Sequence, residues 1–199
     1  TTSGFWKTNM SSKILGLVIR RRPLGDNDLI LTVLCREFGK INCIAKGVLK
    51  SKKSPLYAQI FAYSELSLYR GKSFYIIESA DLREPFYGLR QSLDALYLGQ
   101  YFAEVADTLP QGSSSGEEGT ILKLLLNSLF LLCKNPSEED CLRIKIVFEV
   151  KYAQISGFFP DISGCEACGG SELAVWDFTS GFFCAACGNG RHGKNISQT

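Results

Sequence analysis

The chain has 199 residues, of which 45% are hydrophobic and 21% are charged, so a largely disordered protein is excluded and one or two ordinary domains are expected. The formal net charge of +2 hides an asymmetry, because residues 1–75 contain 13 Lys/Arg and four Asp/Glu, whereas residues 76–164 contain seven and 13. The nine surplus positive charges in the first window predict an anionic partner for that part of the chain.

The N-terminal residues show no pattern typical of targeting. Residues 1–13 lack a continuous apolar run, so we expect a flexible extension there and no secretory signal. The most apolar stretch of the chain, Leu124–Cys133, has ten residues, and a membrane-spanning helix needs about 20. We therefore expect a cytoplasmic protein that makes no contact with a membrane.

Residues 14–84 are predicted to form five short strands separated by turns. The apolar or alternating runs are Ile14–Ile19, Leu29–Cys35, Lys40–Lys46, Ile60–Tyr69 and Phe74–Ala80. Gly39 is expected to adopt a positive φ in the turn after the second strand. Five strands within about 70 residues predict a small barrel or a sandwich.

Residues 85–161 are predicted to be helical. The first helix has apolar residues at steps of three and four from Leu89 to Val105, and Leu93 and Tyr97 are expected to lie on its buried stripe. Ile121–Leu132 is apolar nearly all round, which predicts a buried central helix. The third helix is expected to begin after Ser137, in a capping box with Asp140, and to end before Gly157 and Pro160. Together with the strands, this predicts an α+β protein of several domains.

Residues 162–190 contain two Cys-x2-Cys pairs, Cys165/Cys168 and Cys184/Cys187, with fifteen residues between them. This spacing strongly indicates one zinc ion held by four thiolates. The intervening residues include Trp176 and read as a hairpin, so the segment is predicted to be a zinc ribbon with four cysteine ligands. A complete shell of four sulfurs leaves no position for water, which indicates structural and not catalytic zinc.

The ribbon cysteines have an alternative role, and the only histidine and the other four cysteines are expected to bind no metal. Two disulfides would also use the four ribbon cysteines, although an intracellular location disfavours them. His192 lies in the polar tail of residues 191–199, which is expected to fray, and the four-sulfur shell leaves it no ligand role. The remaining cysteines have no ligand spacing and are expected in the core or as free thiols: Cys35, Cys43, Cys133 and Cys141.

The predicted barrel carries the candidate sites for nucleic acid. Basic side chains on one face of a barrel would bind phosphates, and aromatic side chains would stack on bases. The candidate DNA-binding residues are Arg20, Arg21, Arg22, Lys40, Lys46, Lys50, Lys52 and Lys53. The candidate stacking residues are Phe38, Tyr57, Tyr63 and Tyr69, although most of them are expected to lie in the core. The alternative is an ordinary solvated surface whose lysines confer solubility.

Motifs typical of enzymes are missing from the sequence. It contains neither a phosphate-binding Gly-x4-Gly-Lys-Ser/Thr nor a Gly-x-Ser-x-Gly, and no cysteine of the folded part has a partner histidine. We therefore expect a protein that is not an enzyme.

Several strings in a fixed order resemble the RecO family of bacterial recombinational repair proteins. They are Val18–Asp28, Arg36–Lys40, Ala45–Gly47, Leu66–Gly71, Ala80–Leu82, Tyr101–Glu104 and Gly157–Gly169. The resemblance covers about residues 14–188. It implies an N-terminal OB-fold barrel, a helical domain and an embedded zinc ribbon, and some family members lack the cysteines.

The resemblance also implies a function. Members of this family are non-catalytic mediators that bind single- and double-stranded DNA and anneal complementary strands. With RecR they load RecA onto DNA covered by single-strand-binding protein (SSB), so we expect these partners and a location at the nucleoid. The alternative from the residues alone is an interaction scaffold in transcription or translation, which would not accelerate annealing.

The sequence departs from the family pattern in two places. Ile60 stands where the family usually has proline, which affects the start of the fourth strand. Members normally continue past the ribbon with another helical segment, so we expect a chain cut short at Thr199. The contacts with SSB and RecR would then depend on the missing segment.

Overall fold

The first predicted strand is longer in the computed structural model of the protein, which describes residues 12–50, 55–71, 73–111 and 117–196. Its length lets the strand pair with two neighbours. Residues 12–17 pair with the fourth strand of the barrel, and residues 16–24 pair with the second strand, with an irregularity between Val18 and Arg20. The strands are β1 (Ser12–Leu24), β2 (Asp28–Cys35), β3 (Gly39–Ala45), β4 (Tyr63–Arg70) and β5 (Tyr75–Glu84).

The five strands close into a barrel in the order β1-β2-β3-β5-β4. All neighbours are antiparallel except β3 and β5, which pair in parallel at Cys43–Tyr75 and Ile44–Ile76. This confirms the predicted OB-like barrel and excludes the sandwich. Gly39 has the expected positive φ of 63°, in the turn between β2 and β3. Apolar side chains such as Val33 and Leu66 fill the interior.

Three helices follow the barrel: α1 (Leu93–Asp107), α2 (Glu117–Leu132) and α3 (Glu138–Ile155). Short 3-10 turns occur at Leu56–Ala58 and Tyr87–Gln91. Ser137 caps α3 as predicted, because its Oγ accepts a hydrogen bond from Asp140 N at 3.2 Å. Gly157, just after α3, has a φ of +70°. None of these helices, nor any other in the described part of the chain, is long and apolar enough to cross a membrane.

A second hydrophobic core joins the helices to the outside of the barrel. Phe102 of α1 stacks on Phe148 of α3 with ring centroids 4.1 Å apart. Leu17, Ile19 and Leu34 from β1 and β2 belong to the same cluster. The barrel and the three helices are therefore one compact unit, which ends at Ile155.

The predicted buried stripe of α1 was wrong at two positions. Leu93 and Tyr97 are exposed, with 70% and 69% of their surface open to solvent. The buried face instead contains the small residues Ala95, Gly99 and Ala103. A Cβ at Gly99 would lie 3.3 Å from Leu129 and 3.4 Å from the Phe61 ring, so close approach of the backbone decides which face of α1 turns inward.

The helix that was predicted to be buried and central, α2, is buried on one face only. One face, which includes Ile121, Leu125 and Leu129, is fully buried. On the opposite face, 56% of Phe130 and 46% of Leu131 are exposed. Helix α2 therefore has more apolar side chains than its contacts with neighbouring elements bury.

Residues from Ser156 onward form a second compact unit. It contains β6 (Val175–Asp177), β7 (Gly181–Phe183), β8 (Lys194–Asn195) and the short helix α4 (Ala185–Gly188). The strand order is β7-β6-β8. The hairpin of β6 and β7 agrees with the prediction, whereas β8 lies in the tail that was expected to fray and pairs with Val175 and Trp176.

Candidate nucleic-acid interface and metal centre

The second unit brings the four predicted ligands together. The Sγ atoms of Cys165, Cys168, Cys184 and Cys187 all lie within 4.8 Å of one another. The Sγ atoms of Cys168 and Cys184 are 3.8 Å apart, well beyond the bond length of about 2 Å in a disulfide. All four are free thiols. This geometry supports a metal centre and not the alternative of two disulfides.

Backbone turns position each pair of sulfurs. Cys165 N donates to Gly170 O at 2.8 Å, and Gly169 N donates to Cys165 O at 2.7 Å. The positive φ of 72° at Gly169 completes this turn, a conformation that glycine adopts without steric cost. The second pair is held at the start of α4, where Gly188 N donates to Cys184 O at 2.8 Å.

The sulfurs affect one another's ionisation. The backbone hydrogen bond from Cys184 lowers the pKa of Cys165 to about 6, which favours a thiolate there. Hydrogen bonds with the sulfurs of Cys184 and Cys168 raise the pKa of Cys187 to about 12. Four thiolates this close repel one another, and a divalent cation at their centre removes that cost. The donor set therefore fits a metal that prefers sulfur ligands, such as zinc.

Basic side chains form an exposed group on the barrel. We use the name basic surface for Arg21, Arg22, Lys46 and Lys50, all of which are exposed. The turn that carries Lys46 and Lys50 is held beside the turn that follows Arg22, because Gly47 N donates to Asp28 Oδ1 at 2.7 Å and Leu49 N donates to Asn27 O at 2.9 Å.

Strand register extends the basic surface across the sheet. Arg22 pairs with Ile30, and Ile30 pairs with Ile44 of β3, two residues before Lys46. The ammonium group of Lys46 lies 3.5 Å from the hydroxyl oxygen of Tyr69. A group of exposed cations of this kind attracts phosphates without reading sequence.

Lys40 lies apart from the basic surface. Only 7% of Lys40 is exposed, and its ammonium group donates to the backbone carbonyl oxygen of Asp107 and to Asp107 Oδ1, the latter at 3.1 Å. Arg20 Nη1 bonds to the other oxygen of the same carboxylate at 3.1 Å. Lys40 therefore fastens the end of α1 to the barrel, and we remove it from the candidate interface.

Two other candidates have no structural placement. Lys52 and Lys53 lie outside the described residues, so they remain sequence predictions. Arg20 is exposed over 64% of its side chain but already has a carboxylate partner. Its charge is therefore partly neutralised before any ligand arrives.

The aromatic candidates are mostly committed to packing. Phe38 and Tyr57 pack against the barrel interior, and Tyr63 packs against the core shared with the helices. Burial raises the pKa of Tyr57 and Tyr63. Tyr69 is half-buried beside Lys46. The sequence reasoning missed the exposed Tyr97, because helical periodicity alone assigned it to the core.

Comparison with known proteins finds matches to one family over nearly the whole chain. Residues 10–86 match the family described as "Recombination protein O N terminal", and residues 90–196 match "Recombination protein O C terminal". A protein of Alkaliphilus metalliredigens named "DNA repair protein RecO" is 32% identical over 183 residues, which span 89% of this chain and 72% of that protein. The proteins of the same name from Acetivibrio thermocellus and Caldicellulosiruptor saccharolyticus are 32% and 34% identical over 180 residues, which span 88% of this chain and 70% and 71% of those proteins.

Proposed function

The chain belongs to the RecO family of recombination proteins, and we propose that it is a non-catalytic DNA-binding mediator of recombinational repair. It binds single- and double-stranded DNA and anneals complementary strands. Together with RecR it assists the loading of RecA onto single strands covered by SSB. Its place of action is the bacterial nucleoid in the cytoplasm.

The observation that carries this proposal is the exposed basic surface of the barrel. Its four cations have no carboxylate within ion-pairing distance among the described residues. Two DNA strands repel each other through their phosphates, and a protein that neutralises phosphates on both strands lowers this repulsion. Annealing then needs charge and shape but no covalent chemistry, which agrees with the expectation that the protein is not an enzyme.

In this proposal the metal centre has a structural role. Zinc bound by Cys165, Cys168, Cys184 and Cys187 would complete a tetrahedral shell, with no position left for a reacting water. The sheet of β6, β7 and β8 has strands of two or three residues, which is too little for a core of its own. The zinc would therefore hold the ribbon in its folded form.

An annealing assay tests the proposed function. Two complementary oligonucleotides are mixed with the protein at two salt concentrations, with and without SSB, and duplex formation is followed over time. We expect faster annealing that weakens at the higher salt concentration, because phosphate contacts release counterions. Binding without faster annealing would support the alternative of an interaction scaffold and overturn the proposal.

Single substitutions test the assignment of the basic surface. Arg22→Ala and Lys46→Ala should each reduce the slope of log affinity against log salt concentration by about one. Arg20→Ala should reduce it less, because Asp107 already partly neutralises this arginine. Lys151→Ala on α3, also an exposed lysine, is the matched control and should leave the slope unchanged. An unchanged slope for every basic substitution in the barrel would refute this face as the DNA site.

A further inference from the structure

A cavity of about 330 Å³ lies between the barrel and the start of the helical region. Its apolar floor is formed by Ile60, Phe61 and Leu96. Phe61 adopts a positive φ of 69°, and its backbone N–H donates to Val18 O at 2.9 Å. The absence of a side chain at Gly99 leaves room for the Phe61 ring. The floor is therefore part of the packed core and is formed before any ligand binds.

The rim of this cavity carries two guanidinium groups with uncharged partners. Arg21 Nη1 donates to Gln59 Oε1 at 3.2 Å, and Arg90 lies over the Tyr87 ring at 5.3 Å from its centroid. Neither arginine takes part in an ion pair among the described residues, and none of the residues that line the cavity is acidic. The rim therefore retains its positive charge for a ligand.

Tyr97 adds an aromatic ring to the same rim. It lines the cavity although 69% of its surface is exposed. Exposed aromatic rings beside cations are the surfaces on which proteins stack unpaired bases. Gln59 and Gln100 supply carboxamide groups to the rim. Gln59 Oε1 accepts from Arg21, and Gln100 Nε2 donates to Glu104 Oε1 at 3.1 Å, so the amide nitrogen of Gln59 and the amide oxygen of Gln100 are the groups that suit the edge of a base.

We infer that this cavity receives one unpaired base of a DNA strand whose phosphates follow Arg21 and Arg22 on β1. The base stacks on Tyr97, and its edge faces the carboxamides of Gln59 and Gln100. This inference rests on the proposed function, because it presumes that the protein binds single-stranded DNA. It adds a site that distinguishes single strands from duplexes, since a paired base is not free to enter a cavity.

A neighbouring cavity restricts the path of the strand. It has a volume of about 320 Å³ and is lined by Arg20, Glu104 and Asp107, and it shares Gln100 with the first cavity. Arg20 and Lys40 are already paired with Asp107, and Glu104 adds a negative charge, so this cavity is unfavourable for phosphates. The strand should therefore leave the base site toward Arg22. An acidic peptide is the other ligand that a rim with two arginines would attract, and the exposed Tyr97 ring favours a base over it.

The test compares binding to two single strands of equal length. One is an oligothymidine, and the other has the same phosphates with abasic residues in place of the bases. We expect Tyr97→Ala to weaken oligothymidine binding about tenfold, to leave the salt slope unchanged and to have no effect on the abasic strand. Tyr97→Phe should retain wild-type affinity. Phe130→Ala, another exposed aromatic residue, is the matched control and should have no effect.

The outcomes separate this inference from the proposed function. If the wild-type protein binds neither strand, the proposed function itself fails. If it binds oligothymidine and Tyr97→Ala binds equally well, or loses the same factor on the abasic strand, only the base site is refuted. If Tyr97→Ala and Arg21→Gln leave DNA binding intact but abolish binding of a synthetic acidic peptide, the cavity is a peptide site and the inference is overturned.

Discussion

The buried ion pair of Lys40 and Asp107 predicts an asymmetric response to the loss of each charge. Asp107→Ala leaves the ammonium group of Lys40 buried without an acid, and such a change costs about 3–5 kcal/mol. Lys40→Met should cost at most about 2 kcal/mol, because Asp107 is partly solvated and keeps its bond to Arg20. Once Lys40 is replaced by methionine, the further change Asp107→Ala removes only the exposed pair with Arg20, at less than about 1 kcal/mol.

A double-mutant cycle measures this coupling. The single and double variants are unfolded in urea and followed by far-ultraviolet circular dichroism, which reports mainly α1, α2 and α3, the long helices of the first unit. We expect a coupling free energy of about 2–4 kcal/mol between the two sites. Arg20→Ala is the control for the exposed arm of the cluster and should cost less than about 1 kcal/mol.

One result would refute the argument for Lys40. If Asp107→Ala costs the same in the wild-type and the Lys40→Met backgrounds, the two groups do not depend on each other. Lys40 would then be accessible to solvent or ligand, and its removal from the candidate interface would be unjustified. DNA binding by Lys40→Met gives an independent check, because its salt slope should equal that of the wild type when Lys40 touches no phosphate.

Three further predictions concern the metal centre and the hydroxyl of Tyr101. Removal of zinc with a chelator should change the fluorescence of Trp176, measured in a Trp6→Phe background, while the circular dichroism of the helices stays nearly constant. Gly188→Ala should lower zinc affinity by about tenfold or more in a chelator competition, because the new Cβ would lie 2.6 Å from Val175; an unchanged affinity would contradict the close packing of α4 on β6. The hydrogen bond to Glu149 raises the pKa of Tyr101 to about 12, above the unfolded value of about 10, so its stabilisation is complete below pH ~10 and is lost as the pH rises through about 12. Tyr101→Phe should remove this part of the alkaline loss of stability, measured by urea unfolding across that range; an identical pH dependence in both proteins would contradict it.

Sequence reasoning succeeded where the deciding interactions are local. The cluster of four cysteines was predicted from their spacing, because each pair sits in one tight turn and the hairpin between them is short. The cap at Ser137 was predicted for the same reason, since the groups involved are three residues apart. The number and length of the strands predicted a barrel or a sandwich, and the resemblance to the RecO family favoured the barrel, whereas neither revealed the register or the parallel pairing of β3 with β5.

Long-range packing explains what the sequence alone did not reveal. Lys40 and Asp107 are 67 residues apart, and nothing in either neighbourhood marks them as partners. Tyr97 matches the apolar period of α1 no less closely than the buried residues do. Its exposure is decided by the small residues Ala95 and Gly99 on the other face, where the helix approaches its neighbours most closely.

The charge asymmetry of the chain acquires a more specific meaning from these contacts. Two of the N-terminal positive charges, Lys40 and Arg20, neutralise Asp107, which ends α1. A carboxylate at a helix C-terminus is disfavoured by the helix dipole, so the two barrel cations offset a local cost while they fix the helix against the barrel. Arg20 and Asp107 also line the cavity that shares Gln100 with the cavity at Tyr97. The positive charge of the barrel therefore serves two purposes: Lys40 and Arg20 fix the end of α1 to the barrel, and the exposed basic surface is available to phosphates.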